Sequence, residues 1–246
     1  MRALRLFRFG LSATLSHFGL AFVVCVLFGG ISGGLSALIF SLEPQLKSLV
    51  PPGEIWGMMA VLLPDMVLQL GATILVGPIF QAAAAYAAFR HSRGKPGSVS
   101  HGINFGLTRY KRMLGPHARA WLRILIGIQL FLLPGIIFWN QLALVDAVAV
   151  FEKSKDPLRR SRQLTKGYRR TIFIMGFPWL FYSIPAFFII PQLLAVSTLM
   201  LIPHQIAVAA YLFVVFAGYA RLTLERTGLL KEPEAAPAEG ELGSVS

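Results

Sequence analysis

Between Thr171 and Ala220 the chain carries no Lys, Arg, Asp or Glu. That stretch is too long for a single helix across a bilayer, where about 20 residues cover the ~30 Å of hydrocarbon. Pro191 and Pro203 bracket a turn, so it reads as two spans, at about 171–190 and 204–222. A chain that holds such a segment is constrained to be a polytopic membrane protein.

Composition agrees. Hydrophobic residues make up 55% and charged residues 14%, against about a quarter charged in a soluble domain, and the mean hydropathy is +0.65. Backbone polar groups in lipid must satisfy one another, which leaves helices or closed barrels. The ten-residue alternation of a membrane barrel is absent, so the fold class is all-α. Four more spans follow, at about 17–40, 66–89, 116–133 and 135–151. The first could pass for a signal peptide, but its run from Phe18 to Phe40 outlasts a cleavable core of about 7–15 residues. Its Gly29, Gly30, Gly33 and Gly34 form overlapping small-xxx-small pairs that admit a close neighbour helix. Pro64 and Asp65 mark the outer boundary of the second span. Residues 231–246, acidic and rich in Pro and Gly, read as a disordered tail.

The stretch "EKSKDPLRRSRQLTKGYRR", residues 152–170, holds eight of the 23 basic side chains. Lys and Arg favour the cytoplasmic side of a membrane. Placing 1–16, 90–123, 152–170 and 221–231 there leaves Lys47 as the one basic residue outside, with both termini cytoplasmic. This requires 120–151 to be a hairpin turning at Pro134-Gly135, with arms 116–133 and 135–151 of roughly 27 and 25 Å. A single helix there would export twelve of the 23 positives and erase the bias. The six spans then pair as three hairpins joined by amphipathic cytoplasmic helices. One is expected over 98–114, with Val99, Ile103, Leu107, Tyr110 and Leu114 on its apolar stripe. Another lies within 152–170, where Asp156 caps, Pro157 opens and Gly167 closes a short helix. Arg159, Arg160, Arg162, Lys166, Arg169 and Arg170 offer a docking surface for anionic lipid head groups or a partner protein. Beside a membrane, that leaflet is a better partner than nucleic acid for the net charge of +12.

Catalytic chemistry is hard to find. Gly30–Gly34 matches Gly-x-Ser-x-Gly, but Ser32 lies in an apolar run rather than a strand-to-helix turn. The five histidines show no helical metal-site spacing, and no phosphate loop occurs. No cofactor or metal is expected, nor an enzyme. Asp146 is the informative ionisable residue, a proton or substrate site or else half of an ion pair with Arg123, Arg169 or Arg221. Asn140 and Gln141 do not share its face, and Gln69, Gln81, Gln129 and Gln192 read as interhelical hydrogen bonders. His204 and Gln205 belong at the outer interface.

In "LLPGIIFWNQLALVDAVAVFEKSKDPLRRSRQLTKGYRR" the chain resembles the membrane domain associated with glycerophosphodiester phosphodiesterases, and is similar to related small bacterial polytopic proteins. The matching positions are Pro134, Gly135, Glu152, Leu158, Arg160, Ser161, Leu164, Lys166 and Gly167. The resemblance implies six helices in a bacterial inner membrane and no activity, since the phosphodiesterase chemistry belongs to a separate soluble barrel. Two functions compete. The first is a non-enzymatic protein that engages lipids or organises a partner at the cytoplasmic face. The alternative is a transporter or permease subunit, with 152–170 coupling to a cytosolic ATPase. Buried polar residues around a cavity favour the second, and a cavity-free glycine-packed bundle favours the first. A lipid enzyme would require Asp146 and a histidine to converge.

Overall fold

The computed structural model describes residues 2–130, 132–152, 154–178 and 201–230, and the regular structure among them is helical. In chain order these are α1 (Arg2–Ser16), α2 (Phe18–Ser41), α3 (Glu43–Ser48), α4 (Glu54–Ser92), α5 (Val99–Leu130), α6 (Leu132–Leu142), α7 (Val145–Phe151) and α8 (Pro157–Thr165). Helix α9 covers residues 169–178, and α10 is Leu201–Thr227. Four stretches among the described residues are long and apolar enough to cross a membrane: Phe18–Ser41, Ile55–Ser92, Leu133–Phe151 and Leu201–Thr227. The expected spans at 17–40 and 204–222 fall on α2 and α10. Of the expected 171–190, residues 171–178 lie in α9 and the rest lies outside the described residues, as does the 231–246 tail.

Pro64 and Asp65 lie inside α4, whose 39 residues make it about 58 Å long at ~1.5 Å per residue, longer than the ~30 Å of hydrocarbon that a span must cover. Two expectations are corrected. The surface helix at 98–114 and the span at 116–133 are one helix, α5, which runs through Pro116. Proline removes one backbone bond there, while Met113, His117 and Ala120, all buried, form one packed face on both sides of it. Leu107 faces outward and Gly102 and Gly106 face the bundle, whereas Val99 and Ile103 pack against the α2–α4 core. Pro134 and Gly135 lie in the first turn of α6 rather than in a turn between helices. Proline suits an opening turn, where its missing N–H is not needed. Gly135 instead meets Gly127 across the α5–α6 pair; a Cβ on Gly127 would stand 2.8 Å from the Gly135 nitrogen.

Helix α10 is the spine. Gly10 of α1 lies against the Val214 carbonyl and Gly218, and Gly29 and Gly33 of α2 abut the α10 backbone at Ile206 and Ile202. Alanines 82–85, 87 and 88 of α4 are all buried, so this helix also approaches its neighbours closely. Tyr219 donates from its hydroxyl to the Ile172 carbonyl at 3.0 Å, which joins α10 to α9. Of the four glycines singled out in α2, only two make the close approach. Gly30 and Gly34 have no heavy atom within 4 Å of where a Cβ would sit, because one residue onward is a rotation of about 100°.

Alanine substitution should separate the two pairs. A Cβ at Gly29 or Gly33 would lie 2.6 or 2.7 Å from an α10 Cα, and backbone cannot yield as a flexible side chain can. Gly29→Ala and Gly33→Ala are each expected to destabilise the purified protein by about 1–3 kcal/mol. Gly30→Ala and Gly34→Ala should be neutral or slightly stabilising. Thermal unfolding in detergent reads the difference.

Candidate functional site: a polar-striped cavity beside a buried His–Asp pair

Helix α4 is apolar along most of its length, yet Asp65, Gln69, Thr73, Gly77 and Gln81 recur every fourth residue. That spacing keeps them on one slowly rotating face. All five line a cavity of about 350 Å³ between α4 and its neighbours, with Ser32 of α2, Trp121 of α5, Trp139 of α6, Asp146 of α7 and Gln205 of α10 also in its wall. The remaining wall is apolar and aromatic, including Phe28, Phe80, Phe216 and Tyr219.

At one end of the stripe the polar side chains cross-link α2 and α4. Ser36 donates to Asp65 Oδ1 at 2.6 Å, and Gln69 Nε2 donates to the Ser32 carbonyl and to Ser36 Oγ, each at 2.7 Å. Among the described residues no cation pairs with Asp65. Further along lies His117, wholly buried on α5. Its Nδ1 is 2.9 Å from both carboxylate oxygens of Asp146, and its Nε2 is 3.0 Å from the Thr73 carbonyl. A carbonyl only accepts, so Nε2 carries a hydrogen. A second proton must lie between Nδ1 and the carboxylate, since two bare acceptors would repel there. The pair is therefore neutral as a unit. Gly77 makes room for the ring; a Cβ there would stand 2.8 Å from His117 Nε2.

The partner of Asp146 is thus His117, not Arg123, Arg169 or Arg221. Those arginines are taken up elsewhere or point outward. Arg221 pairs with Glu225 at 2.9 Å and donates to Ser92 Oγ, Arg123 is exposed on α5, and Arg169 is exposed on α9. The histidine is 29 residues away in sequence, too far for local spacing to reveal. A clue was present: His117 falls on the face defined by Met113 and Ala120. The α4 stripe was equally legible at four-residue spacing, and Gln69 and Gln81 belong to it. Gln205, expected at the outer interface, lines the cavity, whereas Asn140 bonds only the Ile136 carbonyl of its own helix.

The basic surface divides. Arg160 is held by Glu152 through two hydrogen bonds of 2.9 and 3.0 Å. Those bonds, with the carboxylate charge in support, raise the guanidinium above its ordinary pKa. Arg159 and Arg162 line a groove facing α5; Lys166, Arg169 and Arg170 are exposed outside it. Asp156 caps α8 by accepting from the Arg159 N–H at 3.1 Å, Pro157 follows it, and Gly167 takes φ +86° just beyond the helix.

What these features define is an all-helical chain of multi-pass membrane character, with a partly polar cavity inside its helical bundle. Compared with protein-family models, curated proteins and solved structures, the chain gives no significant match to any.

The His117–Asp146 pair invites a double-mutant cycle. His117→Gln or Asp146→Asn alone leaves a buried partner uncompensated and should cost about 3–5 kcal/mol. The double variant should cost clearly less than the two together. Equilibrium unfolding of the purified proteins measures this, and strict additivity would refute the coupling.

Proposed function

We propose that the chain is a non-enzymatic, membrane-embedded binding protein of the carrier or permease class, with the α4-striped cavity as its ligand site. The observation that carries this reading is the alignment of Asp65, Gln69, Thr73 and Gln81 on a cavity, the arrangement expected of transport rather than of a packed scaffold. Largely apolar pockets with a few convergent polar groups are the usual form of a small-molecule site. Asp146 is neutralised by His117, so Asp65 remains as the ionisable group without a counter-charge among the described lining residues. A carboxylate facing aromatic walls suits an organic cation with an apolar body. Catalysis is disfavoured because both His117 nitrogens are engaged and neither addresses a hydroxyl. In this reading residues 152–170 couple the bundle to a cytosolic ATPase.

Tetraphenylphosphonium tests the ligand class. It should quench tryptophan fluorescence of the purified protein saturably, while the anionic isostere tetraphenylborate should not. Asp65→Asn is expected to weaken the cation about tenfold, equivalent to ~1.4 kcal/mol. Equal response to both ions, or an unchanged Asp65→Asn protein, would count against the site.

A second reading is favoured by the unpaired basic side chains: the cytoplasmic face engages anionic lipid or organises a partner protein. It shares the topology that we propose, six membrane-embedded segments with both termini cytoplasmic in a bacterial inner membrane, a glycerolipid context in keeping with the resemblance noted above. In a Cys25→Ala background, exposed cysteines introduced at Ser48 and Gln163 should label from opposite sides of the membrane. Labelling of both from outside would refute the topology.

A further inference from the structure

A groove of about 730 Å³ runs between α5 and the start of α8. Lys111, Arg119 and Arg123 line one wall, and Lys155, Arg159 and Arg162 line the other. Arg112 also reaches it and donates to the Val150 carbonyl at 2.5 Å. Arg119 bonds only the Gly115 carbonyl of its own helix. The other five side chains make no hydrogen bond or ion pair among the described residues. Asp156 is the single acid in the lining, and its carboxylate is turned to the Arg159 backbone as the α8 cap. So many like charges around one hollow repel one another, and an anion seated there would relieve them.

The outer face of α5 narrows the choice of anion. Arg119, Leu122, Arg123 and Ile126 stand at positions i, i+3, i+4 and i+7, which places them on one side of the helix. Leu122 is 46% exposed and Ile126 58%. Charge thus passes directly into an uncovered apolar strip along the same face. A free phosphate has no use for that strip; a lipid acyl chain does.

We infer that this groove is a discrete, one-to-one site for an anionic phospholipid, its phosphate held between α5 and α8 and its chain laid along Leu122 and Ile126. The inference rests on the second reading above, and goes beyond general attraction to the leaflet by naming a stoichiometric position. It involves different residues from the cavity.

Native mass spectrometry of the full chain, titrated with phosphatidylglycerol or phosphatidylcholine, tests it. One phosphatidylglycerol should be retained per chain, and phosphatidylcholine should not. Arg119→Gln/Arg123→Gln should weaken retention about thirtyfold, each basic residue near an anionic surface being worth roughly fivefold. Arg159→Gln/Arg162→Gln, from the other wall, should do the same and guards against misfolding of the first variant. Arg169→Gln/Arg170→Gln removes equal charge outside the groove and should leave retention unchanged. If all three double variants weaken binding equally, the attraction is diffuse: the site fails and the broader reading stands. If phosphatidylglycerol is retained no better than phosphatidylcholine, both fail. Displacement by free glycerol phosphate at equal concentration would overturn the assignment to a lipid.

Discussion

The bundle depends on a single buried imidazole. His117 reaches from α5 to the carboxylate of Asp146 on α7 and to the Thr73 carbonyl on α4, and so fixes three helices against one another at one depth. Charges taken out of water carry a desolvation penalty of several kcal/mol each, which only close geometry and full hydrogen bonding offset. The approach is close here and both imidazole nitrogens are engaged, and the ring has space only because position 77 lacks a side chain. Because the pair is neutral, Asp65 is the carboxylate left without a counter-charge among the described lining residues.

Much of this was legible in the residues, and the parts that were not have physical reasons. Long uncharged runs announce α2 and α10 because hydropathy is a local property. The small-xxx-small pattern in α2 identified the interface, but four glycines were too many, since only one face of a helix can meet a neighbour. Pro64, Pro116 and Pro134 each read as a boundary. In the structure Pro64 and Pro116 are carried inside helices held by packing, and Pro134 opens a helix instead of ending one. The cavity stripe was visible as period-four polarity in α4, but a stripe does not disclose whether it faces protein or a void. The His117–Asp146 contact was out of reach, because nothing local connects residues so far apart.

The basic segments show how a correct explanation of amount can miss placement. Positive-inside bias accounts for the number of Lys and Arg between spans. It does not distinguish Arg160, bound to Glu152, from Arg159 and Arg162, which face α5. Nor does it foresee that residues from two separate runs, 90–123 and 152–170, build opposite walls of one groove. Local composition sorted charges by segment, whereas the fold sorts them by neighbour.

The reliance of α2 on α10 has a consequence for synthesis. Gly29 and Gly33 lie near the beginning of the chain, and their partners Ile206 and Ile202 lie near its end. At roughly 5–20 residues per second, α2 emerges on the order of ten to thirty seconds before the helix it packs against. For that interval its glycine face has no final partner, and α1, which also docks on α10, waits with it. The packing of α1 and α2 is therefore completed only after α10 has been made, and a product lacking α10 would leave the Gly29 and Gly33 face without its partner.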